Sequence, residues 1–238
     1  MKKTYLEDLF WARFSLFMGV LTMRNNRTKK LTTVAMLCAM AVVVNLVIHF
    51  PIVPAVGFLN YDPKDIVIVI GGFIYGPMIS FVMTVLCAVF DIMFRGGTII
   101  DILMNIIATS TFCCTAAYMY KRNHTKKGAV LGLILGMVFM TVSMVLWNYA
   151  VTPMYLGIPR SSVIPLLLPG IVPFNLIKSG LNALVALLIY KPVVRALRKS
   201  NLVEASHSVA VKKEEILVVL GFIVVTIIML VLGYQGII

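Results

Sequence analysis

Residues 173–190 read PFNLIKSGLNALVALLIY, an apolar run with a single lysine, Lys178, near its start. The run is long enough to cross a bilayer, which takes about 20 apolar residues at roughly 1.5 Å each. A lysine deep in such a helix costs about 2.5–3.5 kcal/mol on insertion scales, so its ammonium must face something polar. Asn175 lies three residues before it and Asn182 four after. At helical spacing the three share one face. The stretch therefore predicts a membrane helix with a cationic, polar stripe. Such a stripe reads as an intramembrane ligand site, not as a lipid-facing surface.

The rest of the chain agrees with a membrane helix. Of its 238 residues 61% are hydrophobic and only 13% charged, and mean hydropathy is +0.99. A soluble domain would be about 45–50% apolar and about 25% charged. The net charge of +12 does not point to nucleic acid. Seventeen of the 21 Lys and Arg fall in three clusters, at 2–30, 121–127 and 191–213, leaving Lys64, Arg95, Arg160 and Lys178. Basic loops stay cytoplasmic and meet anionic lipid, so the basicity reports topology. No cleavable signal peptide is expected. Cys38, Cys87, Cys113 and Cys114 lie in apolar segments without metal-ligand spacing. They read as packing residues rather than disulfides or zinc ligands.

Hydropathy and breakers predict an all-α polytopic membrane protein. Residues 1–30 form a cytoplasmic or interfacial segment, with an interfacial helix over 4–22. Spans follow at about 31–50, 66–76, 78–94, 98–120, 128–152 and 174–191. They make a six-helix domain over 31–200, interrupted by loops at 51–65 and 157–173. A charged cytoplasmic linker covers 201–215, and an additional C-terminal span occupies 216–236 of the segment 216–238. With the N-terminus cytoplasmic, every basic cluster lands inside, and Asp62, Asp65, Asp91 and Asp101 land near the outer side. The second span is too short for roughly 30 Å of hydrocarbon. The backbone it leaves at membrane depth must be buried or line a cavity, which places loop 51–65 near an outward-facing cavity.

Four polar side chains project onto the outer half of this bundle: Asn105 in the fourth span, Asn148 in the fifth, and Asn175 with Lys178 in the sixth. Asp101 lies one turn before Asn105. Asn offers donor and acceptor, Lys donors only, and a heterocycle with amide or imide edges needs that mixture. Interhelical hydrogen bonding is the alternative use of the asparagines. Phe58 and Tyr61 in the first loop are candidate lid aromatics, able to stack on a flat ligand. Ala35-x-x-x-Ala39 on the first helix is a close-approach face that could meet another protein. The Gly128, Gly132, Gly136 repeat of the fifth reads as packing within the chain. No phosphate loop, HExxH, GxSxG or dinucleotide fingerprint occurs. His49, His124 and His207 are isolated and read as structural or solvent-facing.

Taken together, FLNYDPKDI (58–66), IGGFIYGP (70–77), GTIIDILMN (97–105), WNYAVTPMYLG (147–157) and PFNLIKSGLN (173–182) resemble the substrate-binding (S) components of energy-coupling factor (ECF) vitamin transporters, over about 31–200. The resemblance implies a six-helix core in a bacterial plasma membrane that captures riboflavin, or its phosphate FMN, from outside. It also implies docking on a transmembrane coupling protein and two ATP-binding-cassette ATPases, which hydrolyse the ATP. No cofactor, metal or enzymatic activity of the chain itself is implied. Carried over by motif, ring contacts fall on Asn148, Asn175 and Lys178, with Asn105 beside them. The first loop covers the site, and Ala35 and Ala39 dock. The span 216–236 and the long N-terminal segment depart from the six-helix pattern. Two other readings stand beside this one: an S component for a different small molecule, and a stand-alone proton-coupled transporter.

Overall fold

A computed structural model describes residues 26–53, 59–200 and 202. The expected interfacial helix at 4–22, Phe58, and the span 216–236 lie outside the described residues. The described chain is helical. α1 is Asn26–Val47, α2 Lys64–Tyr75, α3 Pro77–Arg95, α4 Ile99–Arg122, α5 Lys126–Ala150, α6 Thr152–Leu156, α7 Arg160–Leu166 and α8 Val172–Lys199. Among the described residues the sole β feature is an isolated antiparallel bridge between Pro51 and Asn60. It pinches together the two ends of the first loop.

Among the described residues, five helical segments are long and apolar enough to cross a bilayer: α1, α3, α4, α5 and the continuous stretch Arg160–Lys199. α2 is not one of them. Its 12 residues span about 18 Å at 1.5 Å each, and it is buried from Lys64 to Phe73. Two glycines let it sink that far. A Cβ on Gly71 would fall 2.5 Å from Met83 Sδ, and one on Gly72 2.8 Å from the Ala117 Cβ. α2 thus gives up spanning length to become the central post of the bundle. Gly76, at φ +94°, closes it, and Pro77 starts α3 at once. That positive φ suits glycine, and proline is well placed in the first turn of a helix.

The helix starts are set by short polar side chains. Thr98 and Asp101 form a capping box at α4, where Asp101 Oδ2 accepts from Thr98 N at 2.7 Å. Thr125 accepts from Gly128 N at 3.0 Å at α5. α4 and α5 then run antiparallel in close contact. A Cβ on Gly132 would lie 2.9 Å from Ala116 O, and one on Gly136 2.6 Å from Phe112 O. The glycine repeat packs within the chain, as the sequence suggested.

Three boundaries differ from expectation. α1 is already helical at Asn26, the first described residue, ahead of the predicted 31. The predicted loop 157–173 is mostly helical: after the short α6, α7 and a single π-helical turn over Leu167–Ile171 lead straight into α8. Most of the prolines in it and just before it are absorbed locally, whereas Pro165 stands inside α7. Pro153 stands in the first turn of α6, Pro159 is the N-cap of α7 and Pro173 is at the start of α8. These positions need no N–H donor, and the wider π turn takes Pro169. α8 also continues through Pro192 to Lys199, beyond the predicted span end at 191.

Candidate ligand-binding site

The helix directions place two chemistries at opposite ends of the bundle. α4 ends, α5 begins and α8 ends in Lys and Arg. At the other end α4 begins, α5 ends and α8 begins, and these termini carry Asn105, Asn148, Asn175 and Lys178. All four line one cavity of about 250 Å³. Its remaining wall comes from α3, through Asp91 and Arg95, and from the end of the first loop, through Leu59, Asn60 and Asp62. A smaller cavity of about 90 Å³, against Trp147, Val151 and Tyr155, shares Leu59, Asp101, Met104 and Asn148 with the first.

Each polar wall residue is fixed by its own partner. Asn148 donates from Nδ2 to Met144 O at 2.8 Å and accepts from Thr152 Oγ1 at 2.9 Å. Asn175 donates to Ile171 O at 2.8 Å. Asn105 Nδ2 reaches Asp91 Oδ2 at 3.4 Å. Lys178, only 5% exposed, donates from Nζ to Asp62 Oδ2 at 2.8 Å. One of its three donors is thereby used, and the others remain for a ligand edge. Apolar surfaces of Leu59, Met104, Ala108, Met144 and Phe174 complete the wall. The mixture of flat apolar walls and a few oriented amides is what a small heterocycle requires.

Beneath the cavity lies an ionic network that the sequence reading did not assemble. Lys64, 1% exposed, sits 2.5 Å from Asp91 Oδ2 and 3.5 Å from Asp62 Oδ2. Asp91 also accepts from Asn45 Nδ2 of α1 at 2.7 Å. Arg95 reaches Asp91 at 3.9 Å and Asp62 at 4.0 Å, and it donates to the Asn45 carbonyl. Asp65 accepts from Thr109 Oγ1 at 2.8 Å and from Asn182 Nδ2 at 3.3 Å. Buried charges persist only when paired and hydrogen-bonded, and this cluster meets that condition by drawing on α1, α2, α3, α4 and α8. A usable signal was the segment YDPKD at 61–65, with three charges in five residues just before a very apolar helix.

Asp62 is the residue where network and cavity meet. Burial alone would raise its carboxyl, but the ammonium groups of Lys178 and Lys64 outweigh that and hold it well below the usual carboxylate range. His49 stands 3.8 Å from Asp62. Burial first, then the Arg95 charge, lowers its imidazole from the ordinary value, so it is neutral near pH 7. His49, read from the sequence as structural or solvent-facing, is exposed and also lines the cavity.

The other residues that the sequence singled out take different parts. Tyr61 is buried beside the cavity wall rather than in it: its hydroxyl donates to Asn182 Oδ1 at 2.7 Å, and its ring meets Phe50 at 5.7 Å. This seat anchors the end of the first loop to α8. Asn182 accordingly does not share the role of Asn175; it holds Tyr61, Asp65 and the Asp62 carbonyl. Asp101 caps α4 and accepts from Tyr155 Oη at 3.2 Å. Ala35 and Ala39 lie on the exposed face of α1 with Met36, Met40 and Val43.

Residues 29–190 match the family model for the ECF transporter substrate-specific component. Among curated proteins, the riboflavin transporter RibU of Streptococcus thermophilus is 29% identical over 182 residues, covering 72% of this chain and 86% of that protein. The riboflavin transporter FmnP of Bacillus subtilis is 29% identical over 189 residues, covering 74% and 99%. A solved S component of a bacterial ECF transporter superposes with a TM-score of 0.64 at 28% identity, covering 72% of this chain and 98% of that one.

Proposed function

The chain belongs to the family of ECF transporter substrate-specific components, and on that premise we propose that it captures riboflavin in the cavity between α3, α4, α5, α8 and the first loop. One observation carries the reading. Four polar residues from three helices converge on a single cavity, in a chain 29% identical to riboflavin transporters over most of its length. In this reading Asn148, Asn175 and Lys178 meet the polar edge of the isoalloxazine ring, and Asn105 lies beside them. Phe174 and Met104 supply apolar faces. The first loop, with Phe58 and Tyr61, closes the outer side.

The family is one of transporter components, not enzymes. The chain would therefore borrow its energy from two ABC ATPases through a transmembrane coupling protein. The exposed face of α1 with Ala35 and Ala39 would be the docking surface. α1–α5 and α8 would form the six-helix core over 31–200, with the N-terminus in the cytoplasm and the span 216–236 added to it. The cavity end would face outward, opposite the basic termini.

The test is direct. Detergent-purified protein titrated with riboflavin should quench the flavin fluorescence to saturation at one equivalent, and protein from riboflavin-fed cells should carry flavin absorption bands. A colourless preparation that leaves riboflavin fluorescence unquenched would reject the proposal.

A further inference from the structure

Asn45 is fully buried near the end of α1, and its hydrogen bonds lead to the wall of the cavity. Its side chain donates from Nδ2 to Asp91 Oδ1 at 2.7 Å. Its carbonyl lies in the last turn of α1, where a helix runs out of intrahelical donors, and it accepts from the Arg95 guanidinium instead. The peptide dipoles also favour a cation at that end of a helix. Asp91 and Arg95 line the cavity, whereas no described residue of α1 does. α1 thus bears on the cavity from behind its wall.

What Asn45 fixes is the rotation of the Asp91 carboxylate. A carboxylate free to turn could offer either oxygen to any neighbour. With Oδ1 taken by Asn45, Oδ2 is left to Lys64 at 2.5 Å and to the Asn105 amide at 3.4 Å. Asn105 lines the same cavity, and this bond turns its Nδ2 toward Asp91. One buried amide on α1 therefore bears on three groups of the wall, carried by α3 and α4.

We propose that Asn45 is a positioning residue of the ligand site: from behind the wall it fixes Asp91 and Arg95, and through Asp91 the Asn105 amide, in the orientation that receives the ligand. This rests on the flavin reading above. A buried asparagine that merely joined helices would stabilise the bundle and leave affinity untouched. A seat that favours the ligand is, by linkage, itself favoured by the ligand. Riboflavin should therefore tighten the last turn of α1.

The experiment measures riboflavin affinity by fluorescence quenching, and thermal unfolding without ligand, on Asn45→Leu, Asn45→Asp and the exchange variant Asn45→Asp/Asp91→Asn. Both single variants should bind riboflavin about tenfold more weakly, since each removes the donor to the Asp91 carboxylate. The exchange variant keeps one amide, one carboxylate and the net charge at these two positions. It should recover affinity to within about threefold of the unaltered protein. Gly132→Ala supplies a destabilised protein with an unaltered site, because its Cβ would fall 2.9 Å from Ala116 O at the α4–α5 contact. It should bind riboflavin normally. Unchanged affinity in both single variants, an exchange variant no better than Asn45→Asp, or an equal loss in Gly132→Ala would overturn the role given to Asn45.

Hydrogen exchange on the unaltered protein needs no variant to fold. Saturating riboflavin should slow exchange over 44–48, where Ile48 N donates to Val44 O at 2.9 Å, by more than it slows the first turns of α1 over 28–34. Equal effects on the two segments would overturn the proposal. Unquenched riboflavin in the unaltered protein would instead remove the flavin reading itself. Quenching with unchanged affinity in both single variants removes only the role of Asn45.

Discussion

Replacing Lys178 with methionine separates a ligand contact from a structural charge. The side chain is 5% exposed and its ammonium bonds Asp62 Oδ2 at 2.8 Å. Removing one partner of a buried ion pair commonly costs about 3–5 kcal/mol, because the other charge is left alone. Here Asp62 is not left alone: Lys64 stands 3.5 Å away and Arg95 4.0 Å. Methionine also fills most of the lysine's stem volume. The stability loss should therefore fall below that range, at about 1–3 kcal/mol, and the protein should still fold. Ligand binding has no such relief. Loss of a charged donor to a carbonyl or ring nitrogen is worth about 1.5–3 kcal/mol, or about 10–150-fold in affinity. The assay pairs a riboflavin quenching titration with thermal unfolding in the same detergent. A folded Lys178→Met protein that binds riboflavin within about threefold of the unaltered one would refute the reasoning.

Gly136→Val should destabilise the bundle by about 1–3 kcal/mol or more, since the new Cβ would meet Phe112 O at 2.6 Å and backbone cannot step aside cheaply; an unchanged unfolding temperature would disprove the close α4–α5 contact. Ala35→Trp and Ala39→Trp alter an exposed face of α1 remote from the cavity, so riboflavin binding by the purified chain should persist while ATP-driven uptake with the coupling protein and ATPases is lost; normal uptake in both would show that this face does not dock. The pH response follows from two groups. Asp62 has a depressed folded value, so its contribution is complete above the ordinary carboxylate range, near pH 4, and it fades only as pH falls through the lower folded value. His49 is also depressed, so the unfolded chain takes up its proton first and stability declines as pH drops below about 6.5. Riboflavin affinity and unfolding temperature should accordingly be level between about pH 7 and 9, and an acid-side loss beginning above pH 7 would contradict the pairing of Asp62 with its two lysines.

The sequence by itself determined that the chain is a helical membrane protein, where its polar stripe lies and which end of each helix carries the basic clusters. Those properties are local or periodic: hydropathy over a span, the spacing of Asn175 and Lys178, and the sign of charge beside each helix end. Antiparallel alternation of the spans was then enough to bring Asn105, Asn148, Asn175 and Lys178 to one end. The tertiary structure decided the partners. Asp62 and Lys178 are 116 residues apart, and Asn45 and Asp91 are 46 apart; no periodicity in one segment reports such a pairing. It also decided that Tyr61 anchors the loop to Asn182 instead of lining the cavity, and that the proline-rich stretch after α5 is helical. Both outcomes depend on what the neighbouring helices leave unfilled. A buried charge must find its counter-charge wherever the fold delivers one, and only the packed bundle specifies which carboxylate that is.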